Sequence, residues 1–210
     1  MGKLLLFLSL LPVSGLAGEP VALSEKTYDP SLGVLIIQVN WGRTWKCGQF
    51  EHAQLQALTF TQLPLEGANS VVLELQTHSQ IAAENTFLPY AYVVQPGEYQ
   101  LTDFDVAVAK SKKEVIHLKG AKEDMAKAPQ SAGTFTIQPG EIVYVGHFGL
   151  DCTEEPFLWR FYIEGRSEFE SYIAGFRQKF PFVKEVPVQF KLFSTQRFGN
   201  PYALENPTVH

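Results

Sequence analysis

The chain has 210 residues, of which 45% are hydrophobic and 19% are charged, and its formal net charge at pH 7 is -5. This length and composition are sufficient for one domain with its own hydrophobic core, and they argue against a disordered chain. The acidic balance argues against a nucleic-acid-binding protein, because contacts with phosphates require a basic face.

Residues 1–18 predict an export signal. Lys3 is the only charged residue in this segment, Leu4 to Leu11 form an apolar stretch, and the small residues Gly15 and Ala17 precede Gly18. The apolar stretch is shorter than the roughly 20 residues of a membrane-spanning helix. No Cys follows it to carry a lipid. We therefore expect a periplasmic or secreted protein that has no transmembrane anchor after cleavage.

Alternation of apolar and polar residues predicts strands along most of the remaining chain. The first three predicted strands cover 34–41, 54–63 and 71–75. A fourth, 87–95, contains Pro89, which favours a sheet edge because proline has no N–H for the hydrogen-bond ladder. The alternation changes phase in the next segment, and this change predicts a bulge near Thr102 or Asp103.

The tetrapeptide Gln-Pro-Gly-Glu occurs at 95–98 and again at 138–141. Proline fixes φ at the second position of a turn, and glycine supplies the positive φ that a type II turn needs at the third position. Each copy is therefore predicted to lead into a strand of an antiparallel β domain. The Lys-rich segment 110–127 lies between the copies and predicts a solvated hairpin tip or, alternatively, a contact for an anionic partner.

The C-terminal part of the chain predicts further strands and one amphipathic helix. The strands fall near 135–137, 142–150 and 157–163, and a last one covers 186–192. The helix is predicted to start at a capping box of Ser167 and Glu170 and to end at Pro181. The predicted fold is a mainly β, antiparallel β-sandwich, immunoglobulin-like or transthyretin-like, with one C-terminal helix. Residues 19–165 would form the sandwich, and 166–210 the helix, the final strand and an irregular tail.

The two cysteines, Cys47 and Cys152, predict one disulfide if the protein is exported to an oxidising compartment. Two buried free thiols are an alternative. A second alternative is a thiol- or metal-dependent hydrolase centred on His147, Asp151 and Cys152, the densest group of reactive side chains. The chain has no common hydrolase or nucleotide motif, and its histidines lack the spacing of a zinc site, so we expect neither a cofactor nor a metal.

Trp41 and Trp45 flank a short segment that includes Arg43 and follows a predicted strand. Exposed tryptophans at a sandwich rim can stack on sugar rings or anchor a protein partner. A carbohydrate-binding module is therefore a further alternative, and packing of both rings in the core is the simpler interpretation.

Residues 96–101 (Pro-Gly-Glu-Tyr-Gln-Leu) and 135–146 (Phe-Thr-Ile-Gln-Pro-Gly-Glu-Ile-Val-Tyr-Val-Gly), together with the export signal, carry a resemblance. They resemble uncharacterised exported β-sandwich proteins of Gram-negative bacteria, many of them lipoproteins. The resemblance implies a sandwich fold but no activity and no catalytic residues, and this chain lacks the lipidated Cys. We therefore expect a non-catalytic envelope or binding protein with an unknown protein or glycan partner.

Overall fold

The computed structural model describes residues 20–64, 71–77, 86–111, 113–119, 133–152, 156–161 and 165–191. The predicted export signal and the tail after residue 191 lie outside these ranges. The strands, in chain order, are β1 (Val21–Ala22), β2 (Gly33–Asn40), β3 (Arg43–Cys47), β4 (Phe50–Gln62), β5 (Val72–Gln76), β6 (Phe87–Val94), β7 (Gly97–Ser111), β8 (Glu114–Lys119), β9 (Thr134–Ile137), β10 (Ile142–Asp151), β11 (Phe157–Phe161) and β12 (Val188–Phe190). Helix α1 (Gly165–Lys179) and a 3-10 turn (Pro181–Val183) precede β12.

The strands form two sheets, so the predicted mainly β, sandwich-like fold is confirmed. Sheet 1 has the order β1-β6-β2-β10-β11, and β12 also pairs with β10. Sheet 2 has the order β3-β4-β7-β8, with β5 paired to β4 and β9 paired to β7. Most pairs are antiparallel, but β10 runs parallel to both β2 and β12. The helix between β10 and β12 provides the long crossover that a parallel pair requires.

Sheet 1 has an apolar layer on each face. Leu35, Ile37 and Val39 of β2 face sheet 2 and belong to the sandwich core between the sheets. Val34 and Ile36, from the same strand, belong to a second core under helix α1. Because both faces of β2 are covered, its sequence is a nearly continuous apolar run.

Both Gln-Pro-Gly-Glu segments stand where the chain crosses from one sheet to the other. The first joins β6 to β7, and the second joins β9 to β10. Gly140 has φ +72, and the Glu141 N–H donates to the Gln138 carbonyl over 3.1 Å, as expected for the predicted type II turn. Gly97 has φ +156, outside the value for the third position of a type II turn, so the prediction of that turn type is wrong for the first segment, although the segment does lead into β7.

Two local predictions about the strands are confirmed. The β4–β7 register passes from Thr59↔Asp103 to Phe60↔Leu101, so the bulge lies at Thr102. Pro89 lies on a part of β6 that pairs with β2 but not with β1, which contacts β6 only at Tyr92 and Val93. Its missing N–H therefore breaks no ladder among the described strands.

Helix α1 starts earlier than predicted and ends as predicted. It begins at Gly165, so Ser167 lies within the first turn and is not the N-cap. It ends at Lys179, and Pro181 opens the 3-10 turn. Within the described part of the chain, no helix combines the length and the apolar character needed to cross a membrane.

Candidate functional site

Cys47 and Cys152 form a disulfide with an S–S distance of 2.04 Å. Cys47 ends β3 in sheet 2, and Cys152 directly follows β10 in sheet 1, so the bond links the two sheets. The predicted pairing is confirmed. The bond leaves Cys152 without a thiol, and a thiol-dependent hydrolase at this residue is therefore inconsistent with the structure.

His147 does not lie in one site with Asp151 and Cys152. Cys152 packs against the sandwich core, whereas His147 lies on the opposite face of sheet 1, with its ring 5.9 Å from that of Tyr172. Asp151 follows His147 by four residues, about 13 Å along a strand at roughly 3.3 Å per residue. Among the residues the structure describes, no three His, Cys, Asp or Glu side chains could jointly hold a metal ion.

The two predicted ligand-binding tryptophans lie in different environments. Trp41 is only 2% exposed and belongs to the sandwich core, so its proposed role in stacking on a ligand is wrong. Its indole N–H donates to the Tyr90 hydroxyl over 2.7 Å. This burial follows the alternation of β2, because Trp41 continues the face of Leu35, Ile37 and Val39.

Trp45 is 64% exposed and lies on the β3–β4 hairpin. The Arg43 guanidinium stands 5.5 Å from its ring centroid, and the His52 ring meets it edge-on at 5.4 Å. Burial, and then the charge of Arg43, lower the pKa of His52. The cluster of Arg43, Trp45 and His52 thus presents one aromatic ring beside a cation.

A cleft lies elsewhere, between helix α1 and strand β6 on the outer face of sheet 1. This α1–β6 cleft has a volume of about 360 Å³. Phe87, Pro89, Tyr90 and Ala91 of β6 line one side, and Gln38 of β2 contributes an amide. None of these residues belongs to the sites predicted from the sequence.

Helix α1 and the residue after it supply the other wall of the α1–β6 cleft. Two rows of side chains, each with a spacing of four residues, face the opening: Tyr172, Phe176 and Phe180, and beside them Ser171, Gly175 and Lys179. Residues four apart lie on one helix face, so the rows run along the helix for about 12 Å at 1.5 Å per residue. The cleft is therefore elongated, and one row of its helix wall is aromatic.

The polar groups of the cleft are neutral donors and acceptors, with Lys179 as the exception. Tyr172 is hydrogen-bonded to Gln38. Burial raises the pKa of Tyr172 above the usual range, so its hydroxyl stays protonated at neutral pH. Tyr90 borders the cleft, but its ring packs against the sandwich core, where its hydroxyl accepts the Trp41 N–H. Gln38 and Tyr172 can orient a ligand by hydrogen bonds.

His147 lies beneath the cleft and contacts two of its walls. Its ring centroid is 5.1 Å from that of Phe87 and 5.9 Å from that of Tyr172. Its Nε2 is buried and has no hydrogen-bond partner in the described structure. Burial lowers the pKa of His147 to about 4, so the ring is neutral at pH 7.

The sequence predicted one wall of the α1–β6 cleft, the helix, but not the other. The aromatic helix row was predicted to dock α1 on a sheet, and Ile173 and Phe176 are indeed buried there. The opposite wall depends on β6 lying beside β2. That pairing joins segments some fifty residues apart in the sequence, and local patterns carry no information about it.

Comparison with known proteins gave no relative. No family model matches the chain, and neither a curated protein nor a solved structure matches it. The resemblance to exported β-sandwich proteins of Gram-negative bacteria therefore stays a prediction.

Proposed function

We propose that this chain is an exported, non-catalytic binding protein that holds a small, largely apolar ligand in the α1–β6 cleft. The observation that carries the proposal is the cleft itself, about 360 Å³ with aromatic walls from both the helix and the sheet. Ligand sites are typically concave, 300–1,000 Å³ in volume and mainly apolar, with a few polar groups.

The volume is sufficient for a small ligand, and the cleft opens to solvent along the exposed residues Ser171, Gly175 and Lys179. Since a water molecule takes about 30 Å³ in the liquid, the cleft has room for roughly a dozen. Replacing that water on aromatic walls with an apolar ligand is favourable.

Gly175 supports a role for the open space. It lies in the interior of α1, where glycine is less favourable than alanine by roughly 0.5–1 kcal/mol. A Cβ at this position would have no neighbour within 4 Å, and the φ of Gly175 is not in the left-handed region. Neither packing nor backbone conformation requires glycine here. A larger side chain would extend into the cleft.

A fluorescence titration with the neutral apolar dye N-phenyl-1-naphthylamine tests the proposal. We expect saturable binding to the wild type and a loss of at least tenfold in affinity for Gly175→Leu, which fills the cleft. Ala174→Leu is the matched control, because Ala174 is exposed on the same helix and does not line the cleft. Absence of dye binding, or equal binding by all three proteins, would contradict the proposal.

Export is tested separately by the intact mass of the protein recovered from the periplasm of a bacterial host. The sequence predicts a mass that lacks the first 17 or 18 residues. Recovery of the uncleaved chain from the cytoplasm alone would contradict export without affecting the cleft.

A second candidate is a glycan contact at the cluster of Arg43, Trp45 and His52, favoured by the 64% exposure of the Trp45 side chain. A flat indole beside a guanidinium offers a stacking face and hydrogen-bond donors. Quenching of tryptophan fluorescence by peptidoglycan fragments should then disappear in Trp45→Ala. A response that persists in this variant would exclude the cluster as its source.

A further inference from the structure

We propose that the ligand of the α1–β6 cleft is a small anionic amphiphile, such as a medium-chain carboxylate, whose charged end pairs with Lys179. The inference rests on the proposed function and adds the chemical class of the ligand. It is carried by the charges around the cleft, by the arrangement of polar groups along its length and by the exposure of its rim.

The charge of the cleft is one-sided. Among the described residues that line it, Lys179 is the one charged side chain, and none is a carboxylate. Its ammonium lies 5.4 Å from the Phe180 ring centroid and forms no ion pair with any described residue. A cation at an aromatic opening that no described carboxylate lines is complementary to an anion.

Lys179 also stands at one end of the long axis. Ser171, Gly175 and Lys179 succeed one another along the helix, and the hydrogen-bonded pair of Tyr172 and Gln38 lies toward the opposite end. The middle is formed by the apolar face at Phe176. A ligand that follows this axis has its charge at Lys179 and its apolar body over the middle of the helix.

The exposure of the lining side chains also favours a ligand with its charge at Lys179 and its apolar body at Phe176. Lys179 is exposed, so a carboxylate beside it keeps most of its hydration and avoids the penalty of a buried charge. Phe176 is buried, and the apolar body gains by leaving water there. Each methylene covered by the walls should improve the affinity about fourfold.

Competition against N-phenyl-1-naphthylamine with decanoate and decanol separates the charge from the chain. Lys179→Met keeps a similar side-chain volume and removes the ammonium. We expect this variant to bind decanoate about fivefold more weakly than the wild type, the upper range for an exposed ion pair, and to bind decanol equally well. Lys184→Met is the matched control, because Lys184 is an exposed lysine outside the cleft and should affect neither ligand.

The outcomes distinguish this inference from the proposed function. Equal decanoate affinity in the wild type and Lys179→Met, or an equal loss for decanoate and decanol, would overturn the pairing with Lys179 while the cleft remains a ligand site. If the protein binds the dye but neither decanoate nor decanol displaces it, the assignment of an amphiphilic ligand is overturned. Failure of the dye itself to bind, or its indifference to Gly175→Leu, counts against the proposed function.

Discussion

The two faces of sheet 1 are covered in different ways. Toward sheet 2, the core residues are almost completely buried, as at Phe60, whose ring meets those of Phe135 and Phe148 edge-on at 5.8 and 5.9 Å. The disulfide links the two sheets that enclose this layer. Toward helix α1, the covering leaves the α1–β6 cleft and a buried His147 Nε2 that no described group hydrogen-bonds.

The difference has a geometric cause. The five strands from β1 to β11 make a sheet roughly 19 Å across at about 4.8 Å between strands, whereas a helix with its side chains is about 10–12 Å wide. Helix α1 contacts β10, on one side of the central strand β2, where the rings of Tyr172 and Tyr144 are 5.2 Å apart. The side toward β6 therefore stays partly open. A second sheet can close an entire face, and a single helix leaves room for a ligand.

Loss of the disulfide should give the largest effect, and that effect should be confined to stability. The bond spans 105 residues, and a loop of this size predicts a loss of about 4 kcal/mol in the free energy of unfolding for the double variant Cys47→Ala, Cys152→Ala. Urea denaturation measures this loss. Dye affinity of the folded variant should be unchanged, and a parallel loss of affinity would show that the two faces are coupled.

Equivalent truncations on the two faces should differ in both stability and binding. Phe60→Ala removes a fully enclosed ring and should lower the free energy of unfolding by about 4 kcal/mol. Phe176 borders the cleft, so Phe176→Ala should lower the free energy of unfolding by about 2 kcal/mol while weakening dye binding. Urea denaturation and dye titration of both variants check this. A larger stability loss for Phe176→Ala would reverse the comparison.

Acid should destabilise the helix face through His147. Its pKa is about 4 in the folded protein and about 6.5 in the unfolded chain, so the unfolded chain binds the proton more readily. The free energy of unfolding therefore keeps its full value above pH 6.5. It falls by at most about 3 kcal/mol as the pH decreases to about 4.

The measurement for His147 is the free energy of unfolding between pH 4 and 7. His147→Phe should flatten the pH dependence, with a smaller slope remaining from His52, whose pKa is also lowered. An unchanged slope in this variant would exclude His147 as the cause.

Two glycines provide the smallest and most local contrast. A Cβ at Gly33, on the sandwich side, would collide with Ile137, so Gly33→Ala should destabilise the protein by about 1–3 kcal/mol. A Cβ at Gly175 meets nothing, so Gly175→Ala should stabilise it by about 0.5–1 kcal/mol. Thermal unfolding resolves both signs. Destabilisation by Gly175→Ala would mean that the space beside the helix is already filled.

Much of the fold was predictable because its signals are local. The phase change at Thr102 and the turn at Gly140 each depend on a few neighbouring residues, and both predictions are confirmed. The parallel pairing of β10 with β2 was not predicted. The direction of β10 depends on which end of sheet 1 the chain reaches after β9, and no local pattern in the sequence gives that end.

The site was less predictable than the fold. The disulfide could be predicted because the chain has only two cysteines. The alternation of β2 also predicts that Trp41 faces inward with Leu35, Ile37 and Val39. Grouping Trp41 with Trp45 as a candidate ligand site disregarded this pattern. The cleft joins Gln38, β6 and α1, and no short window of sequence contains more than one of its walls.

Two-dimensional amide NMR of the protein titrated with N-phenyl-1-naphthylamine tests the central claim most directly. The account predicts saturable shifts concentrated at cleft residues such as Tyr90, Tyr172 and Gly175, with little change at Phe60 in the sandwich core. Shifts confined to the hairpin of Trp45, or spread evenly over both faces of sheet 1, would contradict it.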